Sequence, residues 1–383
     1  MPENEFTHDY GEAPLVSLEA LPIDQLLEDL VLHNASDIHL RVGEPPAYRV
    51  YGELTRSEMP PLTSEELKKL LYSVMNEERR ERFEKNWELD MSYSIQGVAR
   101  FRISAFRQRG EIGAVLRVIP LKIKSMDEWG LPPVLKQFST LPRGLILVTG
   151  PTGSGKSTTL AAMMDHVNET RRSHIITIED PLEYVHQDKQ SVVEQRELGV
   201  DTRSFASALN HVMRQNPDVI MVGELRDSET MSLAMSAAET GQLVLSTLHT
   251  MDASQTVGRI IDAFSPEEQS QVRLQLSTVL QGVVSQTLLR RTDSPGLVAA
   301  FEIMTCTPAI KSLIREGKTP QIYSLIQTGS RYGMQTLDQS LKDLLFKGVV
   351  SAEDALARSA NPQEFEGAIA SLQPPKGPGG TGG

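Results

Sequence analysis

A glycine-rich segment in the middle of the chain reads Gly150-Pro151-Thr152-Gly153-Ser154-Gly155-Lys156-Ser157-Thr158. It matches the P-loop pattern G-x-x-x-x-G-K-[ST] at every fixed position, and an apolar run at residues 145–149 leads into it. Glycines let successive backbone N–H groups turn inward around a phosphate, and the start of the following helix adds positive charge. Lys156 is expected to reach the β- and γ-phosphates, and the Ser157 hydroxyl to ligate Mg²⁺. We therefore predict that these nine residues bind a nucleoside triphosphate.

The sequence around this motif predicts a parallel sheet. Continuous apolar runs at residues 145–149, 174–178, 219–222 and 243–247 alternate with helix-like segments. Strands buried on both faces, with helices between them, are typical of α/β proteins. Residues 266–291 and 307–369 are predicted to be helical.

The chain before the sheet has a different, mixed α+β pattern. Short strand-like runs occur at residues 36–41, 47–51, 89–95, 99–106 and 113–119, and Thr63-Ser64-Glu65-Glu66 has the form of a capping box. We expect a flexible arm at residues 1–20, an α+β domain at 21–120, a linker at 121–140, an α/β domain at 141–370 and a disordered Gly/Pro tail at 371–383.

Composition narrows the possible functions. The chain of 383 residues has 38 Lys+Arg against 50 Asp+Glu, a formal charge of −12, and only 5% aromatic residues. This balance argues against nucleic acid as a partner. The single cysteine, Cys306, excludes an internal disulfide framework. No run of residues is long and apolar enough for a membrane span, and the acidic N-terminus is unlike a signal peptide, so we expect an intracellular protein.

Two acidic clusters follow apolar strands of the predicted sheet. One is Ile178-Glu179-Asp180-Pro181-Leu182-Glu183, and the other is Val219-Ile220-Met221-Val222-Gly223-Glu224. Ligands of open α/β sheets bind at such strand ends. The second cluster resembles a Walker B strand with Gly223 where an aspartate often lies, so Glu224 is expected to approach Mg²⁺ itself, through water.

Basic residues outside the P-loop leave two interpretations open. His249 ends the strand-like run at 243–250, where it is either a packed residue or a functional one. Arg100 and Arg102 alternate with Phe101 and Ile103 on one predicted strand. These arginines, and Arg117 on the next strand, are either solvated surface or arginine fingers that neutralise γ-phosphate charge.

Taken together, these motifs resemble the secretion-superfamily ATPases of the PilT type, the type IV pilus retraction motors. The similarity covers about residues 22–369 and includes Ser36-Asp37-Ile38-His39-Leu40, the P-loop, and an Asp box at residues 177–183. It also includes a Walker B form at 222–227, a His box at 240–250, and Pro308-Ala309-Ile310-Lys311-Ser312-Leu313-Ile314-Arg315-Glu316, which is similar to the A-I-R-N-L-I-R-E motif.

The resemblance implies roles for particular residues. Glu183 is implied as the catalytic glutamate that polarises water, Glu224 as a Mg²⁺ ligand through water, and His249 as a γ-phosphate sensor. Arg102 and Arg117 are implied to reach the nucleotide of a neighbouring subunit. Two departures limit the transfer: Gln242 replaces a second histidine of the His box, and Lys311-Ser312 replace Arg-Asn of the C-terminal motif.

The resemblance also implies an architecture and partners. A PAS-like N-terminal domain precedes a RecA-like P-loop core with helical C-terminal elements, and six copies form a homohexamer that uses ATP and Mg²⁺. The implied partners are an inner-membrane pilus platform protein, pilin indirectly, and a paralogous accessory ATPase, with the motor in the cytoplasm at the inner membrane. Alternatives that remain are a pilus-assembly or secretion ATPase of the same superfamily, a non-hydrolytic accessory subunit, and a DNA-translocating ATPase.

Overall fold

The computed structural model describes residues 22–33, 35–50, 52–119 and 122–370. By the contacts within it, the chain divides into two units, residues 1–121 and 122–383. The predicted arm at 1–20 and the predicted tail at 371–383 lie outside the described residues.

The first unit is built on a six-stranded antiparallel sheet in the order β3-β2-β1-β6-β5-β4. Its elements are α1 (Ile23–Leu32), β1 (Ala35–Arg41), β2 (Ala47–Val50), β3 (Glu53–Arg56), α2 (Ser64–Ser73), α3 (Glu77–Asn86), β4 (Glu88–Ile95), β5 (Ala99–Gln108) and β6 (Glu111–Ile119). Residues of all three helices and of β1, β4, β5 and β6 share one apolar core. The predicted capping box begins α2, where the Thr63 side chain accepts from the Glu66 backbone and Glu66 accepts from Thr63.

Two elements of this unit carry no clear sequence signal. Strand β3 is exposed along its whole length, so it lacks the alternation that marks a half-buried strand. Helix α3 is mostly charged and buries only Phe83, so it has no apolar stripe of helical period.

The second unit contains a seven-stranded sheet in the order β13-β12-β7-β11-β10-β8-β9, in which only β13 is antiparallel to its neighbour. Its strands are β7 (Gly144–Thr149), β8 (His174–Glu179), β9 (Val192–Glu197), β10 (Val219–Val222), β11 (Leu243–Leu248), β12 (Leu280–Arg290) and β13 (Leu297–Thr305). Its helices are α4 (Val134–Ser139), α5 (Lys156–Thr170), α6 (Phe205–Val212), α7 (Ser228–Thr240), α8 (Ala253–Asp262), α9 (Gln269–Val279), α10 (Pro308–Glu316), α11 (Ile322–Gln327), α12 (Leu337–Phe346), α13 (Ala352–Arg358) and α14 (Pro362–Ala370). Two apolar cores combine residues of the central strands with residues of the helices. The four predicted strands and the α/β fold class are confirmed.

The prediction that residues 266–291 are helical is confirmed for Gln269–Val279 and wrong for Leu280–Arg290. Helix α9 ends at Val279, and β12 begins at Leu280 and pairs with both β7 and β13. The run from Gly282 to Thr287 is buried on both sides of the strand. Because both faces of β12 are buried, its apolar and polar residues do not alternate, and no period of two separates it from the helix that precedes it.

The segment at 121–140, expected to be a linker, contains helix α4. Val134, Leu135 and Phe138 are buried in the same apolar core as Ile146 and Val148 of β7. This segment is therefore part of the second unit from residue 122 onward, because its apolar side chains cover one face of the sheet.

Candidate active site

The P-loop connects the end of β7 to the start of α5. Gly150, Gly153 and Gly155 have φ values of +139°, +79° and +86°, which L side chains rarely adopt. A Cβ atom at residue 150 would also overlap the backbone oxygen of Gln286. These positions require glycine, as the motif predicts, and the turn leads directly into the N-terminus of α5.

Lys156 is folded back over the loop that precedes it. Its Nζ atom donates to the carbonyl oxygens of Gly150, at 2.8 Å, and of Pro151, at 3.0 Å. Burial lowers the pKa of Lys156, while the carboxylates of Glu224 and Glu183 act in the opposite direction. The two predicted catalytic carboxylates therefore favour the charged form of the P-loop lysine.

Glu224 and His249 lie just after the ends of two neighbouring strands, β10 and β11. His249 Nε2 lies 3.2 Å from Glu224 Oε1, and His249 Nδ1 lies 3.4 Å from Lys156 Nζ. The imidazole therefore bridges the P-loop lysine and the Walker B glutamate. It is about half exposed, which leaves it open to a ligand at this edge of the sheet.

Arg226 links the two acidic clusters. Its Nε atom lies 2.9 Å from Glu224 Oε2, and its Nη1 atom lies 3.4 Å from Asp180 Oδ2. The hydrogen bond to Glu224, together with the charges of both carboxylates, raises the pKa of Arg226. This arginine holds Glu224 from the side opposite His249.

Glu183 lies in a loop that follows β8, and side chains beneath the loop hold its backbone. The Glu183 N–H donates to Glu179 Oε2 at 3.3 Å. Gln195 of β9 accepts from the His186 N–H at 2.7 Å and donates to the Tyr184 carbonyl at 2.9 Å and to Glu179 Oε1 at 3.2 Å. Glu183 itself is exposed, so its carboxylate is free to meet a solvent molecule or a ligand.

Glu179 is 5% exposed at the base of this loop. Burial raises its pKa to about 7, against the opposing hydrogen bonds from Thr177, Glu183 and Gln195. A buried carboxyl with several donors is typical of a group that fixes neighbouring backbone. The loop is also joined to α5, because the Thr158 and Tyr184 hydroxyls lie 2.9 Å apart.

The departure at Gly223 has a steric explanation. A Cβ atom at residue 223 would lie 3.3 Å from the Ile178 carbonyl oxygen and 3.4 Å from Glu179 Cα. The Gly223 N–H donates to the same Ile178 oxygen at 2.8 Å. A side chain at this position would therefore pack tightly against the end of β8, and the carboxylate that follows β10 is that of Glu224.

The other departures lie away from this site. Gln242 precedes β11, at the opposite end of the strand from His249, and its Oε1 accepts from the Thr240 hydroxyl at 2.9 Å. Lys311 and Ser312 are on α10, where Ser312 Oγ donates to Glu316 at 2.8 Å. Neither replacement changes a group that contacts the P-loop.

Arg102 and Arg117 lie directly opposite each other on β5 and β6 of the first unit. Asp37, opposite Arg117 on β1, has a side chain that is 3% exposed, and Arg117 Nε lies 2.6 Å from its Oδ1. Arg49 Nε lies 3.5 Å from the other oxygen. Asp37 therefore fixes Arg117, whose side chain is 64% exposed, on the same sheet face as Arg102.

The donors around the P-loop suit a nucleotide with a magnesium ion. Backbone N–H groups, a lysine and a helix N-terminus bind phosphate, and the Ser157 hydroxyl and Glu224 carboxylate are the hard oxygen ligands that Mg²⁺ prefers. Among the described residues no group of three or more His, Cys, Asp and Glu side chains is placed to hold a metal. Mg²⁺ commonly binds through one or two protein oxygen ligands together with substrate phosphates and water.

Three residues of the site, Tyr184, Gln195 and Gln286, carried no signal in the sequence reasoning, and a fourth, Arg226, appeared only within the Walker B match. Each acts through hydrogen bonds between elements that are distant in the chain. The Walker B match at residues 222–227 includes Arg226, but nothing in the sequence indicated its ion pair with Asp180. The others belong to no pattern that a sequence motif records.

The fold and site define a P-loop protein of the α/β class, and comparisons with known proteins identify the family. The model of the family "Type II/IV secretion system protein" matches residues 11–319. The type IV pilus retractation ATPase PilT of Pseudomonas aeruginosa is 51% identical over 345 residues, which cover 90% of this chain and 100% of that protein. A twitching motility protein of Neisseria gonorrhoeae is 48% identical, over 84% of this chain and 86% of that protein.

A solved structure agrees with this result. The crystal structure of the pilus retraction motor PilT with bound ADP superposes with a TM-score of 0.84 at 48% identity, covering 90% of this chain and 99% of that one. The chain belongs to the Type II/IV secretion system protein family, and its core is RecA-like. Across residues 22–370, apart from the gaps given above, no helix combines the length and apolar character needed to cross a membrane.

Proposed function

We propose that the chain is an ATP-hydrolysing motor that powers type IV pilus retraction and thereby twitching motility. The observation that carries this proposal is the contact of His249 with both Lys156 and Glu224 beside an intact P-loop. The relatives named for retraction and twitching motility share about half of the residues over most of the chain. The chain is a P-loop ATPase of the Type II/IV secretion system protein family, and its P-loop matches the motif at every fixed position.

In this proposal the residues divide the chemistry among them. The P-loop N–H groups and Lys156 bind the β- and γ-phosphates, and Glu183 polarises the attacking water. Ser157 and, through water, Glu224 would hold Mg²⁺, which when bound supplies positive charge against the phosphates. His249 contacts both Lys156 and Glu224, so it is placed to respond when the γ-phosphate leaves.

The motor is proposed to be a homohexamer in the cytoplasm at the face of the inner membrane. Head-to-tail contacts that close form a ring with nucleotide between adjacent subunits. Arg102 and Arg117 then reach the nucleotide of the neighbour and stabilise charge in the transition state. Turnover rotates one domain against the other and acts on the pilus platform protein, and indirectly on pilin. A paralogous accessory ATPase is a further proposed partner.

The test is the steady-state Mg-ATPase activity of the size-separated protein beside Glu183→Gln. Turnover is expected in a roughly hexameric fraction, and the substitution is expected to lower kcat about 100-fold or more while leaving ATP binding intact. Glu194→Gln is the matched control, because Glu194 is exposed on β9 and remote from the P-loop. Wild-type turnover by Glu183→Gln would exclude Glu183 as the catalytic carboxylate.

A second arm addresses retraction. A cell that lacks its own retraction ATPase and carries this chain is expected to recover twitching, whereas the Glu183→Gln chain is not. If twitching is not restored in cells that contain the active enzyme, the result would instead favour an assembly or secretion role.

A further inference from the structure

Gln286 of β12 lies beneath the P-loop and uses both ends of its side-chain amide there. The residue is 4% exposed. Its Nε2 atom donates to the Ser154 carbonyl oxygen at 2.6 Å, and its Oε1 atom accepts from the Thr159 hydroxyl at 2.8 Å. One side chain therefore connects the loop to the first turn of α5.

The hydrogen bond to Ser154 determines the orientation of one peptide group. A trans peptide is planar, and its carbonyl and N–H point in opposite directions. Because Gln286 holds the Ser154 carbonyl, the N–H of Gly155 points away from β12. In a P-loop that direction is the concave side, where phosphate binds.

Because residue 155 is a glycine, the orientation of the Ser154–Gly155 peptide depends on the hydrogen bond from Gln286. Gly155 has a φ of +86° and no side chain to restrict the peptide before it, so rotation of that peptide is sterically cheap. Thr159 orients the Gln286 amide. Its hydroxyl donates to Oε1, so the Nε2 group of the same amide points to the Ser154 carbonyl. A hydroxyl pair at 2.8 Å, Thr149 with Ser285, holds β12 beside the end of β7.

We propose that Gln286 is a positioning residue for phosphate binding, which holds the Ser154–Gly155 peptide so that the Gly155 N–H faces the β-phosphate of a bound nucleotide. This inference rests on the proposed nucleotide site. It predicts that removal of the Gln286 amide weakens the binding of ADP, which has a β-phosphate, more than the binding of AMP, which lacks one.

The experiment measures ADP and AMP dissociation constants by calorimetry on the full chain. The variants are Gln286→Met, which keeps the volume but removes the donor, and Gln286→Glu, which places a carboxylate against the Ser154 carbonyl. Thr159→Val removes the hydroxyl that donates to the Gln286 amide oxygen and leaves Gln286 itself unchanged. Gln281→Met is the matched control, because Gln281 is on the same strand at the end remote from the P-loop.

The expected result is a loss of ADP affinity of about tenfold for Gln286→Met, a larger loss for Gln286→Glu and a smaller one for Thr159→Val. AMP affinity is expected to stay within about twofold in all of them, because AMP lacks the β-phosphate. Gln281→Met is expected to bind both nucleotides as the wild type does. Far-UV circular dichroism and a cooperative melting curve show which variants are folded.

Three results would overturn the proposal: wild-type ADP affinity in folded Gln286→Met, equal losses for ADP and AMP, or a loss confined to Gln286→Glu. The last would indicate charge repulsion alone. If Gln286→Met does not fold, Thr159→Val decides by the same criteria. If Lys156→Ala binds ADP as tightly as the wild type, the nucleotide site itself is assigned wrongly, which is a separate failure.

Discussion

His249 Nε2 lies 3.2 Å from Glu224 Oε1, across the ends of two adjacent parallel strands. The other ring nitrogen lies 3.4 Å from Lys156 Nζ. One imidazole thus contacts the group proposed to bind the γ-phosphate and the group proposed to bind magnesium through water. In the proposed mechanism, this pair of contacts couples the state of the nucleotide to the end of β11.

Replacing His249 with asparagine is expected to lower kcat about tenfold or more and to leave the ATP KM within about threefold. Asparagine is too short to bridge Lys156 and Glu224, so the two groups lose their common partner while the phosphate-binding loop stays intact. Steady-state ATPase kinetics measure the effect. His174→Asn is the control, since His174 is the first residue of β8, and the P-loop follows the last residue of the parallel strand β7 at the opposite end of the sheet. Equal effects of the two substitutions would contradict a specific role.

The loop that carries Glu183 is expected to depend on Gln195. Gln195→Ala removes the hydrogen bonds to Tyr184 and His186, so kcat is expected to fall roughly 10- to 100-fold with little change in ADP affinity. Hydrogen exchange gives an independent readout, because the His186 amide loses its acceptor and should exchange faster. Glu194→Ala, on the exposed face of the same strand, is expected to change neither quantity. Unchanged exchange at His186 would show that other contacts hold the loop.

A shared site predicts complementation between defective subunits. Arg102→Ala and Lys156→Ala are each expected to abolish most turnover alone, whereas mixed rings are expected to regain part of it. Recovery arises because some interfaces combine an intact arginine with an intact P-loop. The measurement is ATPase activity across mixing ratios after subunit exchange. Absence of recovery at every ratio, in rings shown to be mixed, would place the arginine and the nucleotide in unrelated sites.

Stability is expected to depend on pH through Glu302 of β13. The residue is 4% exposed, and burial raises its pKa to about 7, against the hydrogen bond from the Ala253 N–H. The folded state therefore holds a proton that the unfolded chain, with a pKa near 4.5, releases earlier. The stabilising contribution is present below that unfolded value and is lost as pH rises through 7.

Glu302→Gln keeps an acceptor for the Ala253 N–H and cannot ionise. The free energy of unfolding of the wild type is therefore expected to fall relative to this variant between pH 5 and 8, by at most about 3 kcal/mol. Urea denaturation at both pH values measures the difference. Glu267→Gln, at an exposed position, is expected to follow the wild type at each pH. A constant gap between wild type and Glu302→Gln would rule out titration of Glu302 in this range.

Much of the core could be predicted because its patterns are local. The central strands are short, largely apolar runs, and the P-loop glycines have backbone angles that few other residues adopt. Strand β12 could not be predicted in this way. It is buried between β7 and β13, so its mixed apolar and polar residues show no strand period, and only its neighbours select an extended conformation.

The sequence by itself determined the phosphate-binding loop, the two acidic strand ends, the alternation of strands and helices, and membership of the secretion ATPase family. Those features depend on the types of residues that lie close together in the chain, so they can be identified from the sequence alone. Tertiary structure alone decided that Gln286 holds the P-loop, that Gln195 holds the loop of Glu183, and that His249 joins Lys156 to Glu224. Such contacts form between strands that lie far apart in the chain, because the order of strands in a sheet is set by the packing of the whole core.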